Sequence, residues 1–154
     1  MKIHVRQADA ADMPEVHRLV KELAIFENSP EEVITTADQY VRDGFQNNCF
    51  QVLVAVDEDS QPRPAIVGMA LYYPAYSTWR GPYLYLEDLI VTETYRSQGI
   101  GEWLFHALTE QAAQTGMKLI KWQVLDWNTR ARAFYERLDA RADPSWVNYR
   151  LEMP

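Results

Sequence analysis

The stretch from Leu84 to Ala112 restricts the fold more than any other part of the chain. Leu84, Leu86, Leu89, Ile90 and Val91 form a short apolar run that reads as a strand. After Thr92-Glu93-Thr94-Tyr95 comes Arg96-Ser97-Gln98-Gly99-Ile100-Gly101, and Leu104, Leu108 and Ala112 then recur at helical spacing. Two glycines therefore fall in a strand-to-helix turn, where missing side chains let backbone N–H groups approach a ligand. The first N–H groups of the new helix lack intrahelical partners and lie at the positive end of its dipole, so the turn suits a phosphate or pyrophosphate. Arg96 adds a full charge. The dinucleotide-binding pattern needs a glycine three residues beyond Gly101, where this chain has Leu104. No Gly-Lys-Ser/Thr follows, which removes the Walker pattern.

The rest of the chain supplies the frame for that turn. Ile3 and Val5 alternate with polar residues as a strand, and Asp9-Ala10-Ala11-Asp12 offers a carboxylate cap to a helix carrying Met13, Val16, Leu19, Val20 and Leu23. Pro14 sits harmlessly in its first turn, and Asn28-Ser29-Pro30 closes it. Thr35-Thr36 begins a shorter helix through Phe45. Strands are expected over 50–56, 66–73, 84–91 and 119–125, helices over 99–115 and 129–138, and a last strand near Val147 to Met153. This order predicts an α/β class in a mixed α+β layout, with a mixed sheet, parallel about the crossover helix, and helices on its faces. With no repeat, linker or charge block, residues 1–154 read as one domain.

Fifteen Lys+Arg against 22 Asp+Glu leave a net charge of −7, which argues against a nucleic-acid partner and suits a cationic small molecule. The single cysteine, Cys49, excludes an internal disulfide and a cysteine zinc site and reads as a buried small hydrophobe. His4, His17 and His106 lack ligand spacing, so no metal is expected. Lys2-Ile3-His4-Val5-Arg6 is not the apolar core of a signal peptide, and no apolar run reaches the roughly 18 residues of a membrane span. The expectation is a cytoplasmic chain with no membrane partner.

Through Arg96-Ser97-Gln98-Gly99-Ile100-Gly101, the chain resembles the Gcn5-related N-acetyltransferase (GNAT) superfamily over essentially its whole length. Leu84-Tyr85-Leu86-Glu87-Asp88, Asp126-Trp127-Asn128 and Phe134-Tyr135 bring it nearer to the diamine acetyltransferases. Tyr76-Ser77-Thr78-Trp79 and Val124-Leu125-Asp126-Trp127-Asn128 are similar to the thialysine N-epsilon-acetyltransferase branch, and Ser77 stands where the polyamine branch usually has an acidic residue. The resemblance implies a mostly antiparallel GNAT-like sheet, acetyl-CoA as cosubstrate, and direct transfer to a small cationic amine in a ternary complex. Thialysine or a related diamino acid is the first reading of that amine, with spermidine or spermine and then a protein amine behind it. A non-catalytic coenzyme A sensor is the reading from another class. The resemblance also implies a homodimer.

Carried onto this chain, the resemblance assigns Arg96, Ser97, Gln98, Gly99, Ile100 and Gly101 to the pyrophosphate, with Glu102 in the first helical turn beside them. The backbone at Leu89, Ile90 and Val91 would take the pantetheine arm as a sheet edge takes a strand. Asn128 would be a further coenzyme contact or a helix cap, and Tyr135 would stand near the coenzyme sulfur as proton donor or else pack beside Phe134. For the amine the candidates are Phe26, Glu27, Trp79, Glu87, Asp88 and Trp146. An alkylammonium must lose a proton before it attacks, and Glu87, among apolar neighbours, either accepts it through water or makes a structural ion pair. Alternation puts Glu87 and Asp88 on opposite faces unless the strand bulges, as it does near this point in the superfamily. The aromatic residues between Tyr72 and Tyr85 read mostly as sheet core or subunit interface.

Overall fold

Alternating Val, Ile and Ala residues build the sheet. In the computed structural model, which describes Met1–Pro154, five strands lie in the order β1 (Ile3–Gln7), β2 (Gln51–Asp57), β3 (Ala65–Ser77), β4 (Gly81–Val91) and β5 (Ile120–Trp122). Pairs β1–β2, β2–β3 and β3–β4 are antiparallel, whereas β4 and β5 run parallel from Leu84↔Ile120 to Leu86↔Trp122. Parallel neighbours need a crossover, and helix α3 (Ile100–Gln114) makes it. The other helices are α1 (Met13–Phe26), α2 (Ala37–Val41, continued as a π-helical turn over Arg42–Gln46) and α4 (Thr129–Arg137). The class is mixed α/β with a mostly antiparallel sheet. No helix is long and apolar enough to cross a membrane.

The chain divides into two compact units, Met1–Trp122 and Gln123–Pro154. In the first, Val52, Val54, Val56, Met69, Leu71 and Ile90 pack with Met13, Val16 and Leu19 of α1. Their strand neighbours Leu53, Ala55, Ala70 and Tyr72 point to the opposite face, where Ile100, Leu104, Leu108 and Ala112 of α3 are buried. A Cβ on Gly68 would stand 3.2 Å from Leu104 Cδ1 and 3.0 Å from the Ile90 carbonyl oxygen, so glycine here lets α3 seat on β3. Burying each such leucine contributes about 2 kcal/mol.

Pairing is irregular at one functional point. Leu71 opposes Asp88 and Tyr72 opposes Leu86, leaving Glu87 as the extra residue of a bulge in β4. Because Asp88 lies opposite Leu71 and two residues from Ile90, it shares their α1 face. Glu87 alternates with Leu86, which lies opposite Tyr72, and so faces the α1 side too.

In the second unit, Asn128 Oδ1 accepts from the Ala131 N–H at 3.2 Å and caps α4, while Arg132 Nη1 donates to the Asp126 carbonyl at 2.8 Å. The strand expected near Val147 to Met153 does not form, and β5 covers three residues rather than 119–125. Alternation marks a sequence able to pair, but a strand exists only where a ladder partner is supplied.

Candidate active site

The bulge gathers acids that strict alternation would separate. Glu87 is exposed and accepts a hydrogen bond from Tyr73 Oη at 3.0 Å. Tyr73 stacks on Tyr85, with ring centroids 5.4 Å apart, so two rings flank the carboxylate. Burial and then Glu87 raise the hydroxyls of both tyrosines above their ordinary range. Asp88 is half-buried, and burial, reinforced by the charges of Glu87 and Glu27, pushes its carboxyl up to about 7. Glu27, just beyond the end of α1, is raised by burial as well. Tyr40 of α2 is raised by burial, with Asp88 a smaller cause. None of the three carboxylates is ion-paired with a lysine or arginine. Such a group of carboxylates and ring faces binds an ammonium by charge and by cation–π attraction.

The loop after β4 has the geometry of an anion cradle. Glu93–Tyr95 make a single 3-10 turn, Arg96 is extended, and Ser97 and Gly99 take φ values of 63° and 81°. Alternation into the left-handed region turns successive N–H groups toward one side. A Cβ on Gly99 would meet only the Trp103 ring, at an ordinary contact distance of 3.9 Å, so its glycine serves the positive φ rather than a close approach. The first backbone bond of α3 runs from Trp103 N–H to the Gly99 carbonyl at 3.0 Å. The N–H groups of Ile100, Gly101 and Glu102 precede it and have no carbonyl within the helix. Glu102 is exposed on that first turn. Alongside, β5 pairs with β4 only as far as Leu86, so Leu89, Ile90 and Val91 face no strand on that side. An extended ligand can add to such an edge.

Other sequence expectations find other places: Cys49, expected to be buried, is exposed just before β2. Trp79 lies in the β3–β4 turn, 86% exposed, where Ser77 Oγ accepts from the N–H groups of Trp79 and Arg80. Phe26 packs under the Arg96 guanidinium, 5.6 Å from ring centroid to Cζ. Within the second unit, Tyr135 lies on α4 edge-to-face with Phe134, and Trp146 is exposed. Tyr73, which the sequence groups with the core and interface aromatics, belongs to the site as well; nothing in one strand shows that its hydroxyl meets Glu87 fourteen positions away. No group of three or more His, Cys, Asp or Glu side chains is arranged to hold a metal ion.

Residues 14–140 match the Acetyltransferase (GNAT) family. The chain belongs to this family of acetyltransferases. Thialysine N-epsilon-acetyltransferase of Bos taurus is 36% identical over 157 residues, covering 97% of this chain and 92% of the bovine protein. Spermidine/spermine N(1)-acetyltransferase-like protein 1 of Homo sapiens is 35% identical over 153 residues, or 96% of this chain. The chain spans only 22% of that human protein's length. An aminoglycoside acetyltransferase from an uncultured soil metagenomic sample, solved with trehalose, superposes with a TM-score of 0.80 at 22% identity, over 99% of this chain and 97% of that one. It shares the fold.

As a GNAT member the chain is an N-acetyltransferase, which places it among enzymes rather than coenzyme sensors. Enzymes of the family take their acetyl group from acetyl-CoA. The residues present fit that group: the cradle of positive-φ backbone and free helix N–H groups suits a pyrophosphate, and the open edge of β4 suits an amide-bearing arm.

Proposed function

We propose that this enzyme acetylates one amine of a small cationic diamino compound, thialysine or a related diamino acid, at the cleft of Glu27, Glu87 and Asp88. The observation that carries this reading is the convergence of three carboxylates on the α1 face with no cation of the protein among them. Two ammonium groups would supply the missing charge. Bound acetyl-CoA supplies the thioester. Arg96 and the N–H groups of Ser97 to Gly101 hold its pyrophosphate, and the backbone of Leu89 to Val91 holds its arm. Glu87, beside the Tyr73 and Tyr85 rings, binds the ammonium, and Asp88 accepts its proton, since a carboxyl near 7 is matched to that exchange at neutral pH. The whole of 1–154 is read as one acetyltransferase domain.

Polyamine acetylation is the second reading. Ser77 is engaged in closing the hairpin turn, so a serine there says less against a polyamine than sequence alone suggests. Coenzyme A release measured with lysine, thialysine, ornithine, putrescine, spermidine and short peptides separates the readings. The expected result is the highest kcat/KM with thialysine or ornithine. A preference for spermidine would install the second reading, and equal rates with peptides would overturn both.

The motif, rather than any measured distance, makes Tyr135 the donor that delivers its Oη proton to the leaving sulfur. Tyr135→Phe keeps the ring, so kcat should fall about 10-fold or more while coenzyme affinity changes less than about twofold. Turnover equal to wild type would leave that proton to water. A homodimer is part of the proposal. Val147, Tyr149, Leu151 and Met153 alternate along 147–153 and are 75–95% exposed, as suits a strand completed by a second copy.

A further inference from the structure

Glu22 sits one turn before Phe26 on α1, and its local sequence, Lys21-Glu22-Leu23, is that of any solvent-facing helix acid. Its carboxylate is nevertheless taken up by the segment between β4 and α3, seventy residues away. Oε2 and Oε1 lie 2.8 and 3.0 Å from Thr92 Oγ1, and Oε1 also accepts from the Glu93 N–H at 3.1 Å. Arg96 Nη2 stands 3.9 Å from Oε1, and Arg18 Nη1 lies 3.4 Å from Oε2. Arg96 is steadied twice more, by its Nε–H bond to the Val91 carbonyl at 2.9 Å and by the Phe26 ring. At the far end of the same segment, Tyr95 Oη donates to Asp57 Oδ2 at 2.8 Å, and Asp57 is 4% exposed. The five residues that lead into the cradle are thus held by carboxylates from two other elements.

A carboxylate that accepts a backbone N–H and a hydroxyl makes charge-assisted bonds and fixes direction as well as position. An ungripped Thr92–Arg96 segment would sample several conformations. Apparent affinity falls in proportion to the population of the competent one. We infer that Glu22 is a positioning residue for the coenzyme: from α1 it sets the path of Thr92 to Arg96, and so the aim of the Arg96 charge and the Ser97–Gly101 donors, without touching the ligand. This rests on the reading of that loop as the pyrophosphate site. Since the next turn of α1 carries Phe26 and leads to Glu27, one helix end ties the amine cleft to the coenzyme loop.

The test is calorimetric titration of coenzyme A into the full-length wild type, Glu22→Ala, Glu22→Gln and Gly101→Val, with kcat measured at saturating coenzyme. Glu22→Ala should raise Kd about 5- to 20-fold with kcat held within about twofold, and Glu22→Gln, whose amide oxygen accepts the same two bonds, should recover most of the affinity. Where the alanine variant does not fold, Thr92→Val removes one of those bonds and should raise Kd about threefold. Wild-type affinity in Glu22→Ala, whatever its Tm, overturns the proposal. So does a glutamine variant as weak as the alanine one, which would assign the effect to charge rather than grip. If Gly101→Val binds as tightly as wild type, the coenzyme reading of the loop is what fails, and the role of Glu22 falls with it.

Discussion

Asp88→Asn lowers saturated turnover by about 100-fold or more, the range of a lost general base. Asparagine fills the same space on the α1 face but cannot take the proton of the ammonium. In the wild type, kcat/KM falls as pH drops through about 7, because the carboxyl that must be ionised gains a proton there. The asparagine variant loses this acidic limb. Stability moves the other way. The Asp88 carboxyl is raised in the folded protein above its unfolded value, so the folded state holds the extra proton, and wild-type stability declines as pH rises from the ordinary aspartate range toward 7. Asp88→Asn escapes that decline and should melt higher than wild type above pH 7. Glu87→Gln supplies the contrast: KM for the amine rises, and the acidic limb is kept but moves to lower pH, because Asp88 loses the neighbouring charge that helps to raise it. Were the glutamine variant to lose the limb while the asparagine variant kept it, the proton path would run through Glu87, the role first read for it from the strand.

Gly101→Val raises the dissociation constant of coenzyme A about 10- to 100-fold in the same calorimetric assay, equivalent to about 1.4–2.8 kcal/mol. Gly101 lies in the first turn of α3, among the N–H groups that have no carbonyl within the helix. A β-branched side chain there would stand between those donors and a pyrophosphate. Valine is acceptable to a helix, so Tm should hold while affinity falls. Gly99 would be a poorer test, because its φ of 81° makes any side chain strained whether or not a ligand is present. Affinity within about twofold of wild type in Gly101→Val would detach the glycine turn from the coenzyme.

What was legible in the sequence is what short-range chemistry decides. The change from strand to helical period across Gly99 located α3 to within one residue, because a glycine turn and an apolar 3.6-residue repeat are local facts. The same holds for α1, which carries Pro14 in its first turn and gives way to Asn28 at a φ of 60°. The parallel pairing of β4 with β5 followed from the handedness and length of the crossover.

What only the tertiary structure decided is how residues meet across elements. From β4 alone, Glu87 and Asp88 belong to opposite faces; the register against β3 makes Glu87 the extra residue and turns both carboxylates toward α1. Tyr73 acquires its bond to Glu87, and Asp88 its raised carboxyl, only when strands, α1 and α2 exclude water around them. Residues 147–153 alternate as well as any strand here and form none, for a ladder needs a second backbone. Composition, period and turn chemistry act over a few residues and are written along the chain. Register, desolvation and a carboxylate reaching seventy positions away are properties of packing, and they exist only once the chain has folded.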